Sequence, residues 1–248
     1  MSMHSNKTLV SIITISYNSE KTIARSIESV INSSHKNIEL IIIDNKSSDL
    51  TLKIINNYRK KSKIIKVISE SDLGISDAFN KGLHNSNGSL IGILNSDDWY
   101  DYNSIENAVN QYKNGYNVVM GDIIKAGKRY SSSLIKFNLK MTVMHPSCFI
   151  SASAYKSIGE YNLSYKIAMD YDLFVRIYNS DHVNIKYSKN VLTNMSPDGI
   201  SNLGLSNKLK SIRECRDIQL HYKLNSNMFS NFYYMLRYVS MYIKYYLV

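Results

Sequence analysis

The sequence has only two cysteines, Cys148 and Cys215, and it has no Cys-x-x-Cys pair and no cluster of cysteine with histidine. These counts exclude a disulfide framework and a zinc site, and they favour a reducing, cytoplasmic setting. No uncharged apolar run approaches the roughly 18 residues that a membrane-spanning helix needs. The apolar run at 9–15 lacks the flanking features of a signal peptide and predicts a buried strand. We therefore expect a protein that does not cross a membrane.

The 248 residues, 44% of them hydrophobic, are enough for one sizeable α/β domain with an appendage. The formal charge of +10 suits any polyanionic partner, whether nucleic acid, anionic lipid or a pyrophosphate group. No nucleic-acid-binding motif accompanies this charge, and acidic clusters in the predicted sheet oppose such a role. We expect no nucleic-acid partner.

Short β-rich runs alternate with amphipathic helical patterns through the first hundred residues. Strands are predicted at 9–16, 38–43, 64–69 and 89–94, and helices at 21–32, 50–60 and 75–84. This order implies a mostly parallel sheet with right-handed crossovers, in which ligands bind beyond the carboxyl ends of the strands. Polar and largely acidic clusters follow all four predicted strands, so they are expected to meet at one edge.

The residues Asn95-Ser96-Asp97-Asp98 place two adjacent carboxylates directly after a hydrophobic strand. Adjacent acids repel unless a hard cation such as Mg²⁺ or Mn²⁺ neutralises them. The alternative interpretation is a cap for the helix predicted at 104–112.

Asp44 follows another predicted strand, where its carboxylate could accept from a base N–H or a ribose hydroxyl. The alternative at this position is capping of the next helix by Ser47 or Ser48. In the segment 70–82, Gly74 permits a tight turn before a helix whose first N–H groups could face an anion.

Asp170 and Asp172 lie two residues apart, so on a helix their side chains diverge by about 200° and do not share a cavity. One of them is a candidate base, and the other is expected to face solvent or pair with Arg176. His145 precedes them as a candidate substrate contact, and a loop histidine is the alternative.

Taken together and in order, these motifs resemble the family 2 glycosyltransferases over residues 8–200. The likeness is carried by Val-Ser-Ile-Ile-Thr-Ile-Ser-Tyr-Asn at 10–18, Ile-Ile-Ile-Asp-Asn-Lys-Ser-Ser-Asp at 41–49, Ser-Asp-Leu-Gly-Ile-Ser-Asp-Ala-Phe-Asn-Lys-Gly at 71–82 and Leu-Asn-Ser-Asp-Asp at 94–98. The resemblance implies an α/β fold of GT-A type, with a mostly parallel sheet flanked by helices. It implies a catalytic domain at 1–205, with a Rossmann-like nucleotide-sugar and metal-binding half at 8–116 and an acceptor half at 117–205. A helical tail would follow at 206–248.

The resemblance also implies an inverting, metal-dependent transfer of a sugar, with a UDP-hexose or UDP-N-acetylhexosamine as the first guess for the donor. The acceptor would be a glycan or lipid-linked glycan of bacterial surface polysaccharide or O-antigen synthesis. The residues implied in donor binding are Ser16, Tyr17, Asp44, Asp72, Asn80 and Asp97. Asp98 would be the direct ligand of Mn²⁺ or Mg²⁺ in a DxD-type motif. Asp170 is similar to the family's base, and Ser201 lies in a segment similar to a loop that closes over the donor.

Two positions depart from the family pattern: Asn95 replaces the first acid of the DxD motif, and Met169 replaces a glutamate before the base. The second change leaves Asp172 as an alternative base. Both keep open a second hypothesis, a catalytically silent nucleotide-binding or membrane-associated scaffold. A nucleotidyltransferase would need a glycine-rich loop after the first strand, and no glycine lies between Val10 and Val30.

Residues 228–248 predict an amphipathic helix, because apolar side chains recur at steps of three and four. Phe232, Leu236, Val239, Ile243 and Tyr246 form the apolar face, and basic residues lie on another. We expect peripheral docking on the inner face of the cell membrane. The alternative is packing against the catalytic domain or a second subunit.

Overall fold

The computed structural model describes residues 8–134, 141–197 and 204–224, together with Leu236, Val239, Ser240 and Ile243. Its first half follows the predicted alternation of strands and helices. The elements are β1 (Val10–Ser16), α1 (Ile23–Ile31), β2 (Ile38–Asp44), α2 (Thr51–Lys61), β3 (Ile65–Ser69), α3 (Ile75–His84) and β4 (Leu90–Ile93). β1 pairs in parallel with both β2 and β4, and β2 pairs in parallel with β3. The predicted parallel sheet is confirmed here.

The second half extends this sheet with antiparallel strands that the sequence pattern did not resolve. Its elements are β5 (Trp99–Tyr100), α4 (Ser104–Lys113), β6 (Val118–Lys125), β7 (Lys128–Tyr130), a 3-10 turn (His145–Ser147), β8 (Cys148–Ser151), α5 (Ala152–Ile158), α6 (Met169–Tyr178), β9 (Ile185–Met195) and α7 (Gly204–His221). The strand order is β3-β2-β1-β4-β8-β6-β9-β5, with β7 beside β6. β8 runs antiparallel to both β4 and β6, whereas β9 pairs in parallel with β6.

Each face of the sheet is covered by helices, because the buried strands are apolar on both sides. In β1, Ile12 packs into one core with side chains of α1, α2 and α4. Its neighbour Ile13 packs into the other, with side chains of α3, α5, α6 and α7. The fold is thus a three-layer α/β arrangement with the strand ends open at one edge.

Helix α3 lies unusually close to β1 at Gly82. A Cβ atom at this position would stand 2.3 Å from Cγ2 of Ile13, so only glycine allows the observed separation. This contact holds α3, and with it the turn at Gly74, at a fixed depth against the sheet.

Helix α7 covers the first part of the predicted tail and belongs to the core. Ile212, Cys215 and Ile218 are buried in the same cluster as α6. Helical structure also includes Leu236, Val239, Ser240 and Ile243, and the three apolar residues among them are exposed. Among the described helices, none has the length and apolar character needed to cross a membrane.

Candidate active site

Asp44, at the end of β2, is hydrogen-bonded to the ends of the neighbouring strands β1 and β3. Its carboxylate accepts hydrogen bonds from the Oγ atoms of Ser16 (3.0 Å), Ser47 (2.5 Å) and Ser69 (2.9 Å), and from the backbone N–H of Ser47 (3.0 Å). The side chain is fully buried. The sequence predicted that Asp44 and Ser16 contact the nucleotide, but four donors from the chain already occupy this carboxylate. Asp44 thus joins the ends of β1, β2 and β3, and the contact of both residues with the nucleotide stays a prediction.

Tyr17 and Asn45 are the first residues beyond the paired ends of β1 and β2, where the Asn45 N–H donates to the Ser16 carbonyl at 2.9 Å. Tyr17 is 60% exposed, and the side-chain Oδ1 of Asn45 accepts from the Asp72 N–H at 3.1 Å. Asp72 in turn accepts from the Gly74 N–H at 2.9 Å. These side chains form the open rim above Asp44. Asn45 was not singled out from the sequence, and its only signal was its place one residue past the strand end.

Asn80 was predicted to bind the donor, and this role stays a prediction; the structure shows the contacts that its side chain makes within the chain. It is buried on α3, where its amide donates to the Tyr161 carbonyl and accepts from the Tyr161 N–H, both at 2.9 Å. These bonds use the Asn80 amide to hold the segment that leads into α6.

The acidic motif lies past the end of β4, with Asp98 almost completely buried. Its oxygens accept from the Ser196 N–H at 2.9 Å and from the Asn95 amide at 3.2 Å. Burial, and then the charge of Asp97, raise the pKa of Asp98 to about 6. The residue that caps α4 is Asn103, so the helix-cap alternative for this motif is excluded.

Arg25 on α1 contacts the backbone of this acidic motif. Its guanidinium lies 3.6 Å from the ring centroid of Trp99 and donates to the Asp97 carbonyl at 2.9 Å. A stacked guanidinium in this position restricts the turn that carries Asp97 and Asp98.

The carboxylate oxygens of Asp98 are suitable ligands for a divalent cation. Each carboxylate oxygen accepts one hydrogen bond from a neutral group, so it keeps a lone pair for a hard metal. Within the described part of the chain, no group of three or more His, Cys, Asp or Glu side chains is arranged to hold a metal ion. A metal here would need further oxygen ligands from a bound diphosphate.

His145 and Asp170 meet from distant parts of the chain, with His145 Nδ1 and Asp170 Oδ2 3.1 Å apart. The 3-10 turn supplies the histidine, whose ring packs against Phe79, and the first turn of α6 supplies the acid. Burial lowers the pKa of His145, but the carboxylates of Asp170 and Asp98 outweigh it and leave this pKa raised. Among the described residues, the buried atoms His145 Nε2 and Asp170 Oδ1 have no hydrogen-bond partner. Both atoms are therefore available to a substrate.

Asp172 points away from this pair, and both oxygens of its carboxylate contact other residues of the chain. Its carboxylate is buried, pairs with Arg176 at 2.8 Å and accepts from the Tyr222 hydroxyl at 3.1 Å. The expected pairing with Arg176 is thus confirmed, and these contacts disfavour the alternative of Asp172 as the base or an acceptor contact, which stays a prediction. Ser201 lies outside the described residues.

The fold and this edge define the class of protein. A parallel half-sheet with a polar rim, an acidic motif after β4 and an acid at the start of α6 form an α/β domain of GT-A type. Residues 11–142, more than half of the chain, match the family model "Glycosyl transferase family 2". The chain belongs to this family.

One relative with a named activity is the UDP-Glc:alpha-D-GlcNAc-diphosphoundecaprenol beta-1,3-glucosyltransferase WfaP of Escherichia coli. It is 30% identical over 178 residues, which cover 68% of this chain and 70% of that protein. With three other curated relatives the match covers less than half of the relative's own length, for example 26% of the chondroitin synthase of Escherichia coli.

Solved structures confirm the fold. The complex of S. aureus TarS with UDP-GlcNAc superposes with a TM-score of 0.72 and 18% identity, over 96% of this chain and 73% of that one. A mannosyltransferase from Pyrobaculum calidifontis in complex with GDP-Man and Mn²⁺ gives a TM-score of 0.65 and 10% identity, over 97% of this chain and 75% of the other.

Proposed function

We propose that this protein is an inverting glycosyltransferase, which moves a sugar from a nucleotide-sugar donor to a hydroxyl of a glycan or lipid-linked glycan. The observation that carries the proposal is the meeting of Asp98, His145 and Asp170 at the open edge of the sheet. An acidic motif suited to a metal-diphosphate and an acid with a free buried oxygen are the two groups that such a transfer requires.

In the proposed reaction, Asp170 Oδ1 takes the proton from the acceptor hydroxyl while that oxygen attacks the anomeric carbon. The bond between the anomeric carbon and the phosphate oxygen breaks, and its electron pair leaves with the nucleoside diphosphate. A single displacement of this kind inverts the anomeric carbon. His145 Nδ1 holds the other oxygen of Asp170, which aims Oδ1 at the acceptor.

The donor is proposed to be UDP-linked and to lie along the rim of Tyr17, Asn45 and Asp72. Asp98 would hold Mn²⁺ or Mg²⁺, which when bound would supply charge to stabilise the departing diphosphate. This donor agrees with the UDP-Glc in the name of the E. coli relative and with the UDP-GlcNAc complex of TarS. The same relative's name supports a diphosphate-linked polyprenol sugar as acceptor, and hence a role in bacterial surface polysaccharide synthesis.

Nucleotide binding is the first test, by thermal unfolding with UDP, GDP, CDP or dTDP in Mn²⁺ or in EDTA. A ligand at 100 times its dissociation constant stabilises by about 2.7 kcal/mol. Of these combinations, we expect only UDP with Mn²⁺ to raise the unfolding midpoint. NMR of the sugar product from UDP-glucose or UDP-GlcNAc then reports the anomeric configuration, and retention would refute the inverting mechanism. Binding without any transfer would instead support the silent scaffold.

We also propose that the chain acts in the cytoplasm and docks on the inner face of the membrane through residues 228–248. The support is the exposure of Leu236, Val239 and Ile243, which recur at helical spacing. Sedimentation with anionic vesicles of phosphatidylglycerol and phosphatidylcholine tests the idea. A protein truncated after residue 224 that sediments as well as the full chain would refute it, and a dimer that depends on these residues would favour a second subunit.

A further inference from the structure

Glu214 is a buried acid on α7, far in sequence from every residue of the candidate site. Its carboxylate accepts hydrogen bonds from three consecutive backbone N–H groups. The shortest distances are 3.1 Å from Lys166, 2.8 Å from Ile167 and 2.8 Å from Ala168. A buried carboxylate held by several N–H groups makes strong, charge-assisted bonds.

The three N–H donors belong to the segment that leads directly into α6. Ala168 is the N-cap residue of this helix, and no side chain of its own caps it. Asp170 follows in the first turn. Negative charge is favourable at a helix N-terminus, so Glu214 compensates the end of the helix that lacks a local cap.

Two residues of α3 hold the same segment from its other side. The Ser76 hydroxyl donates to the Tyr165 carbonyl at 3.1 Å, and Asn80 binds both backbone groups of Tyr161. The segment 159–168 is therefore clamped between α3 and α7. Of these contacts, those of Glu214 come nearest to Asp170 along the chain, at Ala168 two residues before it.

We infer that Glu214 is a positioning residue for the transfer reaction. It fixes the backbone from which Asp170 projects, and through this contact α7 contributes to the reaction. The inference rests on the proposed role of Asp170 as the base. Because reacting groups must align within about 1 Å, loosening this backbone is expected to slow the chemical step more than it weakens donor binding.

The test compares Glu214→Gln with Asp217→Asn, which removes an exposed acid from the same helix. The assay measures UDP release from the donor that the wild-type protein uses, below the unfolding midpoint of each variant. We expect Glu214→Gln to lower kcat about 10- to 100-fold, with donor KM and UDP affinity within twofold of wild type. Asp217→Asn should match the wild type in all three.

A wild-type kcat in Glu214→Gln overturns the inference, as does a loss of activity that merely follows the unfolded fraction. If wild-type protein transfers no sugar, the proposed function fails first, so the two failures remain distinct. Hydrogen exchange on the wild-type protein gives an independent readout should the variant not fold. The amides of Ile167 and Ala168 should be protected as strongly as the interior of α7, and exchange at the rate of an exposed loop would also overturn the inference.

Discussion

Replacing the two acids of α6 one at a time should separate stability from activity. In Asp172→Asn, the Arg176 guanidinium, on a side chain that is 18% exposed, loses its charged partner and still donates to the carbonyls of Ile158 and Glu160. Removing one partner of a buried pair costs about 3–5 kcal/mol, and the two remaining carbonyls favour the lower end. For a protein of this size, about 3 kcal/mol corresponds to a midpoint lower by about 6–12 °C.

Asp170→Asn should behave in the opposite way, because the pair of Asp170 and His145 is partly exposed, with 23% and 14% of the two side chains accessible. We expect a change of about 1 kcal/mol or less in stability, but a loss of about 10²- to 10⁴-fold in kcat, the usual contribution of a general base. Thermal unfolding and UDP release on the same preparations measure both, with the exposed Asp181→Asn as the control. A stable Asp172→Asn protein without transfer, beside an active Asp170→Asn, would refute the assignment.

Variants at three further positions test the metal ligand, the packing of α3 and the orientation of Asp170 by His145. Asp98→Asn should abolish the Mn²⁺-dependent part of the UDP-induced midpoint shift, and an unchanged shift would exclude it as the metal ligand. Gly82→Ala should destabilise by about 1–3 kcal/mol in urea unfolding, since its Cβ meets Ile13, although alanine is the better helix former. For His145, Asn can mimic Nδ1 and Gln can mimic Nε2. His145→Asn should therefore retain more kcat than His145→Gln if the bond to Asp170 matters, and the reverse order would contradict that role.

The alternation of strands and helices through β4 could be predicted from the sequence because it depends on local patterns. Buried parallel strands are continuous apolar runs, and the helices between them repeat apolar residues every three or four positions. Because the strands were predicted, their ends were predicted too. The acidic motif, and the sheet edge on which it lies, could therefore also be predicted from the sequence. Strands β6 to β8 were not predicted, since the antiparallel pairing of β8 with β4 and β6 depends on long-range contacts.

The structure decided which polar residues face the edge and which serve the fold. Asp44 and Asp98 both follow buried strands, yet Asp44 accepts from three serines of neighbouring segments, whereas Asp98 accepts from two neutral donors and lies beside the charge of Asp97. Asp170 and Asp172 diverge on one helix, as the period of 3.6 residues requires. Which of them lies beside His145 was fixed by where α5, α7 and the 3-10 turn pack.

The sequence by itself determined the fold class, the order of the motifs and the set of candidate acids, because these follow from periodicity and from residue type at each strand end. Only the tertiary structure brought His145 to Asp170 and Glu214 to the start of α6. Contacts across such distances along the chain leave no periodic signal, since each depends on the packing of a whole layer of helices against the sheet.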